Sequence, residues 1–278
     1  MLGMTLPDID RWSDRVITVL GQNPGPFTGP GTNTYVVGTG SRRLLLDAGQ
    51  GVDKHVRLLA SALEELAHGA VIEVLALTHA HPDHMGGLEK VKARLRPEKV
   101  LKKPWPEWDR GATFEVIDHG SEICVDGATL TAIATPGHAR DHLCFYLAEE
   151  KALFSGDVVL GAGTTVIPRD GDLGDYLESL HRLLGLDLEV IYPAHGPAIR
   201  NPREKIQEYL DHRALRELQV LEGLSDGPKA VADLVRGIYI DVPEWLHDAA
   251  GVSVEAHLRK LEKEQRVTRD GERWWLTS

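Results

Sequence analysis

At 278 residues, with 42% apolar side chains and a formal charge of −11, the chain can bury a substantial core. That charge predicts no strong non-specific grip on nucleic acid, which depends on protein cations releasing counterions from phosphates, while leaving room for a local basic patch. No apolar run is long enough to span a membrane and residues 1–15 hold no signal-peptide core, so a cytoplasmic protein without a membrane partner is expected. Cys124 and Cys144 read as two small buried hydrophobes in a reducing compartment.

In chain order, residues 15–20 and 34–37 read as strands around the Gly/Pro-rich stretch 21–31, and 42–46 as a third strand running into Asp47-Ala48-Gly49. Residues 52–67 have helical apolar spacing at Val56, Leu59, Leu63 and Leu66. The apolar run 71–77 reads as a buried strand, and Gly86-Gly87 open a helix through Leu95 whose N-terminal amides would aim back at the preceding loop. Short β-rich runs follow at 129–134, from Ala152, and at 189–191, with a helix at 173–184 between the last two. Beyond Pro197 to Arg203 the sequence turns charged and helical, dividing the chain into 1–203 and 204–278. Helices at 204–224, 230–239 and 252–264 and a hairpin of 266–269 and 272–277 about Asp270-Gly271 look like a winged helix, with Trp274 and Trp275 partly core. This region carries 11 Lys/Arg against 15 Asp/Glu, a net of −4. DNA binding is therefore not expected, and a packing, substrate-guiding or homodimer-forming module is.

The chemistry concentrates after the strand at 71–77. His79, His81, Asp83 and His84 put four metal-competent side chains into six residues. So many polar groups at the mouth of a buried strand would lack partners unless a cation supplied one. His138, Asp157 and His195 each follow a β-rich run beside Gly or Pro, where a scaffold places its functional loops. Singly, each reads as an ordinary turn or core residue; together they read as ligands. Imidazoles with a minority of carboxylates and no Cys favour zinc, two Zn2+ per chain, with Fe or Mn possible. Two such ions can lower the pKa of a bound water so that hydroxide attacks an ester, thioester, amide or phosphodiester. His55, His68, His119, His181, His212, His247 and His257 share no such spacing and read as surface or capping residues.

The series His79-x-His81-x-Asp83-His84, His138, Asp157 and His195 resembles the metal signature of the metallo-β-lactamase superfamily. The resemblance implies one ion on His79, His81 and His138, a second on Asp83, His84 and His195, and Asp157 bridging them. It also implies an α/β fold, the αββα sandwich, over the first two hundred residues, here followed by the winged-helix-like domain. Asp47 resembles the superfamily's first motif and would support a ligand imidazole. Asp83 and His142 are the candidates for direct roles in the reaction: His142 would protonate a leaving group or hold an oxyanion, or else make a supporting hydrogen bond like that expected of Asp141.

The stretches 19–28, 31–35, 137–142 and 160–165 are further similar to the β-lactamase-like protein 2 branch, whose animal members are mitochondrial endoribonucleases acting on single-stranded RNA. The 19–28 and 31–35 motifs also resemble fungal acyl-carrier-protein thioesterases. The reading is a dinuclear zinc hydrolase cleaving single-stranded RNA. The alternative is a thioester hydrolase acting on an acyl-carrier protein or acyl-CoA, or like glyoxalase II. β-Lactamase activity, disfavoured by the missing export signal, and a non-catalytic metal adaptor rank below both. Arg140, Arg169, Lys102 and Lys103, with Trp105 and Trp108 as stacking surfaces, are the candidate substrate contacts.

Overall fold

A computed structural model describes residues 3–277. The chain divides into two compact units: residues 1–135, 141–165 and 186–203 form the first, and 136–140, 166–185 and 204–278 the second.

The first unit is built on two sheets. Seven strands lie in sequence order, β1 (Ile9–Arg11), β2 (Val16–Leu20), β3 (Asn33–Val37), β4 (Arg42–Leu46), β5 (Val71–Ala76), β6 (Lys99–Lys102) and β7 (Glu115–Val116), antiparallel as far as β4 and parallel from there. The second sheet runs in the order β12 (Val190–Pro193), β11 (Ala152–Gly156), β10 (Leu143–Leu147), β9 (Ala128–Ala134), β8 (Glu122–Val125). Apolar side chains of both sheets, among them Val37, Leu44, Val74, Leu130, Phe145 and Phe154, meet in one buried cluster. At about 25 cal/mol per Å² of apolar surface buried, this interface is the main stabilising term of the unit. Every residue of β2 and β3 is buried, as apolar runs covered on both faces should be.

Helix α1 (Asp53–Glu65) buries Val56, Leu59 and Leu63 of its predicted stripe together with Ala62, while Leu66, expected on the same stripe, caps its C-terminus half-buried; the helix packs near β2 and α3 (Leu88–Leu95). The helix expected from Gly86 is preceded by a separate turn, α2 (Pro82–Met85), which begins inside the histidine motif, with Pro82 at a first-turn position. Gly87 has a steric reason: a Cβ there would sit 2.1 Å from the Ala48 carbonyl oxygen, so only glycine lets this chain pass so close to the Asp47 loop. One further turn, α4 (Pro106–Asp109), lies between β6 and β7.

The second unit contains α5 (Leu173–Leu184), whose Asp172 caps its N-terminus by accepting from the Asp175 amide, and the long α6 (Pro202–Gly223) leads into its C-terminal part. There α7 (Val231–Ile238), α8 (His247–Lys263) and a small sheet ordered β13 (Lys229–Ala230), β15 (Arg273–Leu276), β14 (Val267–Asp270) enclose Leu224, Leu234, Val254, Leu258 and Trp274. Trp274 is core and Trp275 half-buried, as expected. Helix α8 starts five residues ahead of its predicted start. The intervening Ala249, Ala250 and Gly251 carry too little apolar surface to show a period.

Three readings of single residues change. Cys124 is exposed, and only Cys144 is the buried thiol, pushed up to about 12 by that burial. His55 and His257 are buried, not surface groups. Thr34 Oγ1 donates to the Val19 carbonyl, so His55 Nε2, 2.9 Å away, must be the donor in its contact with that hydroxyl. Burial holds His55 at about 4; burial, with Arg213 and Lys260 nearby, holds His257 at about 3. Both bind protons less readily folded than unfolded. Their stabilising share is therefore complete above the unfolded value near 6.5 and is lost as pH falls through it. The denaturation midpoint should drop from pH ~7 to ~4.5, and His55→Gln, whose amide can still donate to Thr34, should show a shallower drop. Identical pH profiles for the two proteins would refute this account.

Candidate metal centre

The site is assembled at strand ends. After β5, Thr78 turns the chain, its amide donating to Asp47 Oδ1 at 2.8 Å and its hydroxyl lying 2.9 Å from Oδ2. Asp47 follows β4 at φ 63°, a left-handed conformation uncommon outside glycine that Asp tolerates better than most residues. Its Oδ2 takes the Nδ1 proton of His84 at 2.7 Å. That bond directs the other nitrogen, Nε2, which lies 3.4 Å from both Asp83 Oδ2 and Asp157 Oδ1. His195, on the loop after β12, brings its Nε2 to 3.4 Å from the same Asp83 oxygen and 3.2 Å from the same Asp157 oxygen. Within the first unit, ligand atoms of His79, His84 and Asp157, and of Asp83, His84 and His195, fall within 4.8 Å of one another.

The electrostatics follow from this crowding. Burial pushes His84 and His195 down, but Asp83 and Asp157, with Asp47 beside His84, outweigh it and hold both imidazoles up, His195 at about 9. Burial likewise works to raise the two carboxyls, yet the imidazoles keep Asp83 and Asp157 well below the usual carboxylate range. His79 goes the other way: burial and then its neighbours His84, His81 and His142 push it well below 6.5.

These donors fit divalent cations. His84 Nε2 is buried and makes no hydrogen bond although two carboxylate oxygens stand 3.4 Å away, a convergence on a common point rather than a set of pairs. His79 Nε2 and His81 Nδ1 lie 3.0 Å apart, a contact of two ring nitrogens that one shared cation satisfies directly. The His/Asp clusters are compatible with a dinuclear metal site.

His138 lies on residues 136–140, which cluster with the second unit. Its Nδ1 is 2.7 Å from the Val166 carbonyl and must donate there, which leaves Nε2 as the nitrogen able to bind an ion. His142 is 0% exposed, and both its nitrogens are used. The Asp157 amide donates to Nε2 at 3.1 Å, so Nδ1 carries the proton and gives it to Thr135 Oγ1 at 2.9 Å. Of the roles open from sequence, this geometry matches the supporting bond and offers a leaving group no accessible proton. The contact also explains Gly156, where a Cβ would meet His142 Nε2 at 2.5 Å.

Asp141 takes a different place from a ligand support. It is buried against Lys102 Nζ at 2.6 Å. Lys102 is itself fully buried, so it is removed from the substrate-contact candidates, and Lys103 pairs with Asp118 at 2.7 Å. Arg140 and Arg169 belong to the second unit, where both line a cavity of about 390 Å3 with Arg259, Lys263, Asp170 and Asp172. Arg169 is already paired with Glu255 at 3.3 Å, and Lys263 with Asp172.

Two groups that sequence reasoning gave no role are Asn23 and Thr32. The Asn23 side chain accepts from the Thr32 amide and donates to its hydroxyl, and Thr32 Oγ1 donates to Asp83 Oδ2 at 2.9 Å. The signal was the polar cluster inside the 21–35 stretch; its partner, fifty residues on, was not readable.

A two-sheet sandwich with overlapping His/Asp groups at the ends of its strands defines the class as a two-sheet protein with a candidate metal site. The chain belongs to the metallo-β-lactamase superfamily, whose family model matches residues 27–195; residues 230–274 match the β-lactamase associated winged helix domain. A β-lactamase-like protein 2 homolog of Caenorhabditis elegans is 41% identical over 261 residues, covering 92% of this chain and 87% of that one. An atrochrysone carboxyl ACP thioesterase of Aspergillus fumigatus is 40% identical over 258 residues, covering 87% and 79%. Among solved structures, a metallo-β-lactamase family protein from Thermus thermophilus superposes with a TM-score of 0.79 at 23% identity, covering 96% of this chain and 100% of that one. A β-lactamase domain protein from Burkholderia ambifaria gives 0.83 at 18% identity, covering 99% and 96%. These two support the fold alone. Among the described residues no helix is long and apolar enough to cross a membrane.

Proposed function

We propose that the protein is a dinuclear zinc hydrolase that cleaves phosphodiester bonds of single-stranded RNA. The observation that carries the hydrolase reading is the pair of overlapping ligand groups sharing His84. On this reading His79, His81 and His138 would hold one ion and Asp83, His84 and His195 the other, with Asp157 completing the ligand set. Two bound ions supply Lewis acidity and an acidified water, and suit the attacking and leaving oxygens of a phosphodiester. The chain's own groups set the geometry. Asp47 fixes the tautomer of His84, His142 holds the Asp157 backbone, and Thr32 directs one oxygen of Asp83. The RNA substrate rests on the near full-length similarity to the β-lactamase-like protein 2 homologue and on the activity that branch implies.

A thioester reading is favoured by one specific observation: Lys102 and Lys103 are committed to carboxylates, while the ring that meets His81 is that of Trp108, itself 5.5 Å from Trp105. Assays of metal-loaded protein on labelled single-stranded RNA, an acyl-carrier thioester and a chromogenic β-lactam separate the readings. RNA cleavage should dominate, with a kcat/KM that falls as salt rises and a slope flattened by Arg140→Ala; Arg169→Ala, already paired with Glu255, should flatten it less. A salt-independent rate, or a thioester or β-lactam turned over far faster than RNA, would overturn the proposal.

A further inference from the structure

Lys102 is an expensive residue to bury. It ends β6, is 0% exposed, and its ammonium lies 2.6 Å from Asp141 Oδ2, 2.7 Å from Asp109 Oδ1 and 2.8 Å from the Lys103 carbonyl. The ammonium donates hydrogen bonds to Asp141 and to the Lys103 carbonyl, and holds Asp109 as an ion pair. One cation against two buried carboxylates is not an efficient source of stability, because desolvating all three offsets much of the attraction and a well-packed apolar cluster of similar volume serves as well. Such a group more readily accounts for a fixed geometry.

What it fixes is the short turn α4. A four-residue helix is far below the length that holds itself together in water, so its shape must come from its anchors. Asp109 is the anchor: Oδ2 accepts from the Trp105 amide at 2.7 Å, closing the turn, and Oδ1 is gripped by Lys102. On the side facing α2, the residues from Asp109 to Ala112 are separated from Ala80, Pro82 and Met85 by a cavity of about 370 Å3. Close packing of Asp109 to Ala112 on that side is therefore incomplete, which leaves more of the turn's placement to the Asp109 anchor. The turn carries Trp108, which lies against Trp105 at 5.5 Å and meets the ring of His81 edge to face at 5.4 Å. His81 is the half-buried histidine in a motif whose His79 and His84 are fully buried, so this ring depends most on a neighbour to hold its direction.

We propose that Lys102 is a positioning residue for the metal centre: by clamping Asp109 and Asp141 it sets the α4 turn so that Trp108 holds the ring of His81 in its ligating direction. The inference rests on His81 being a ligand. It uses Lys102 and Trp108 as parts of the scaffold and assigns neither to substrate.

The test is metal affinity, read by competition with a zinc chelator and by the visible absorption of the cobalt(II)-loaded protein. Trp108→Ala should weaken one of the two bound ions roughly tenfold, within the range expected when the support of a ligand imidazole is removed, and change the cobalt spectrum. Trp108→Phe, which keeps a ring edge, should recover most of that loss. Asp109→Asn, which loosens the clamp and leaves the Lys102–Asp141 pair in place, should shift the same ion in the same direction; Lys102→Met should do so more strongly where it folds. Trp108→Ala and Asp109→Asn proteins with unchanged chelator midpoints and cobalt spectra would overturn the proposal, whatever the fate of Lys102→Met. Equal weakening of both ions would also overturn it, as a general loosening of the fold. A parent protein that takes up no metal would instead sink the ligand reading, and this inference with it, before any variant is compared.

Discussion

Asp157→Asn should cut bound metal from two ions per chain to at most one and lower turnover on the order of a thousandfold, with the fold retained. The Asp157 carboxylate stands 3.4 Å from His84 Nε2 and 3.2 Å from His195 Nε2, the two imidazoles proposed for the second ion. It also helps keep both rings raised above their ordinary value, so it supplies negative charge that the ligand cluster needs as well as an oxygen. An amide of the same shape keeps the packing and the His142 bond to the backbone, but has only one oxygen to offer and no charge. Losing a bridging anion of this kind costs several kcal/mol, and about 1.4 kcal/mol is a tenfold change. His68→Ala is the control, since His68 is exposed past the end of α1. Elemental analysis and turnover of the two variants side by side decide the matter, and equal losses would remove the basis for the bridging role.

Asp47→Asn isolates the charge of a residue that should touch neither metal nor substrate. Asn accepts the left-handed φ of 63° as readily as Asp, so the backbone is unstrained by the change. It keeps one acceptor for the Thr78 amide but loses the second carboxylate oxygen, which takes the Nδ1 proton of His84. His84 then lacks the partner that orients its Nε2. Metal affinity should fall by roughly 10- to 100-fold, as is usual when the hydrogen-bond partner of a ligand imidazole is removed. Chelator competition measures it, with the thermal midpoint of the metal-free variant as the check on folding. An unchanged affinity would show that His84 is oriented by Thr78, whose hydroxyl stands 3.3 Å from the same nitrogen.

Much of the site was legible because its information is local. His79, His81, Asp83 and His84 crowd into one loop, and His138, Asp157 and His195 each stand just beyond a β-rich run with a turn residue beside them. A strand ending in a loop announces itself in a few residues, and so does α5, whose leucine spacing marks it. Strands β1, β6, β7, β8, β10 and β13 escaped notice, for reasons that β6 and β10 illustrate. Lys99–Lys102 opens and closes on a lysine, and Leu143–Leu147 is a five-residue apolar run with no alternation to mark it.

By itself, then, the sequence determined which residues are candidate donors, the strand ends that carry most of them and the presence of a winged-helix-like C-terminal region, since each is written within a window of some tens of residues. Tertiary structure alone decided what those side chains do to one another. His55 and His257 read as solvated and are buried; Lys102 reads as a cation awaiting a phosphate and lies fully enclosed between Asp109 and Asp141. His142 reads equally as a proton donor or a supporting hydrogen bond, and spends both nitrogens on Thr135 and the Asp157 amide. The physical reason is common to all of them: the charge, tautomer and reach of a polar side chain depend on burial and on partners far away in sequence, from Thr34 for His55 to Asp141 for Lys102, and those are set only when the chain has folded around them.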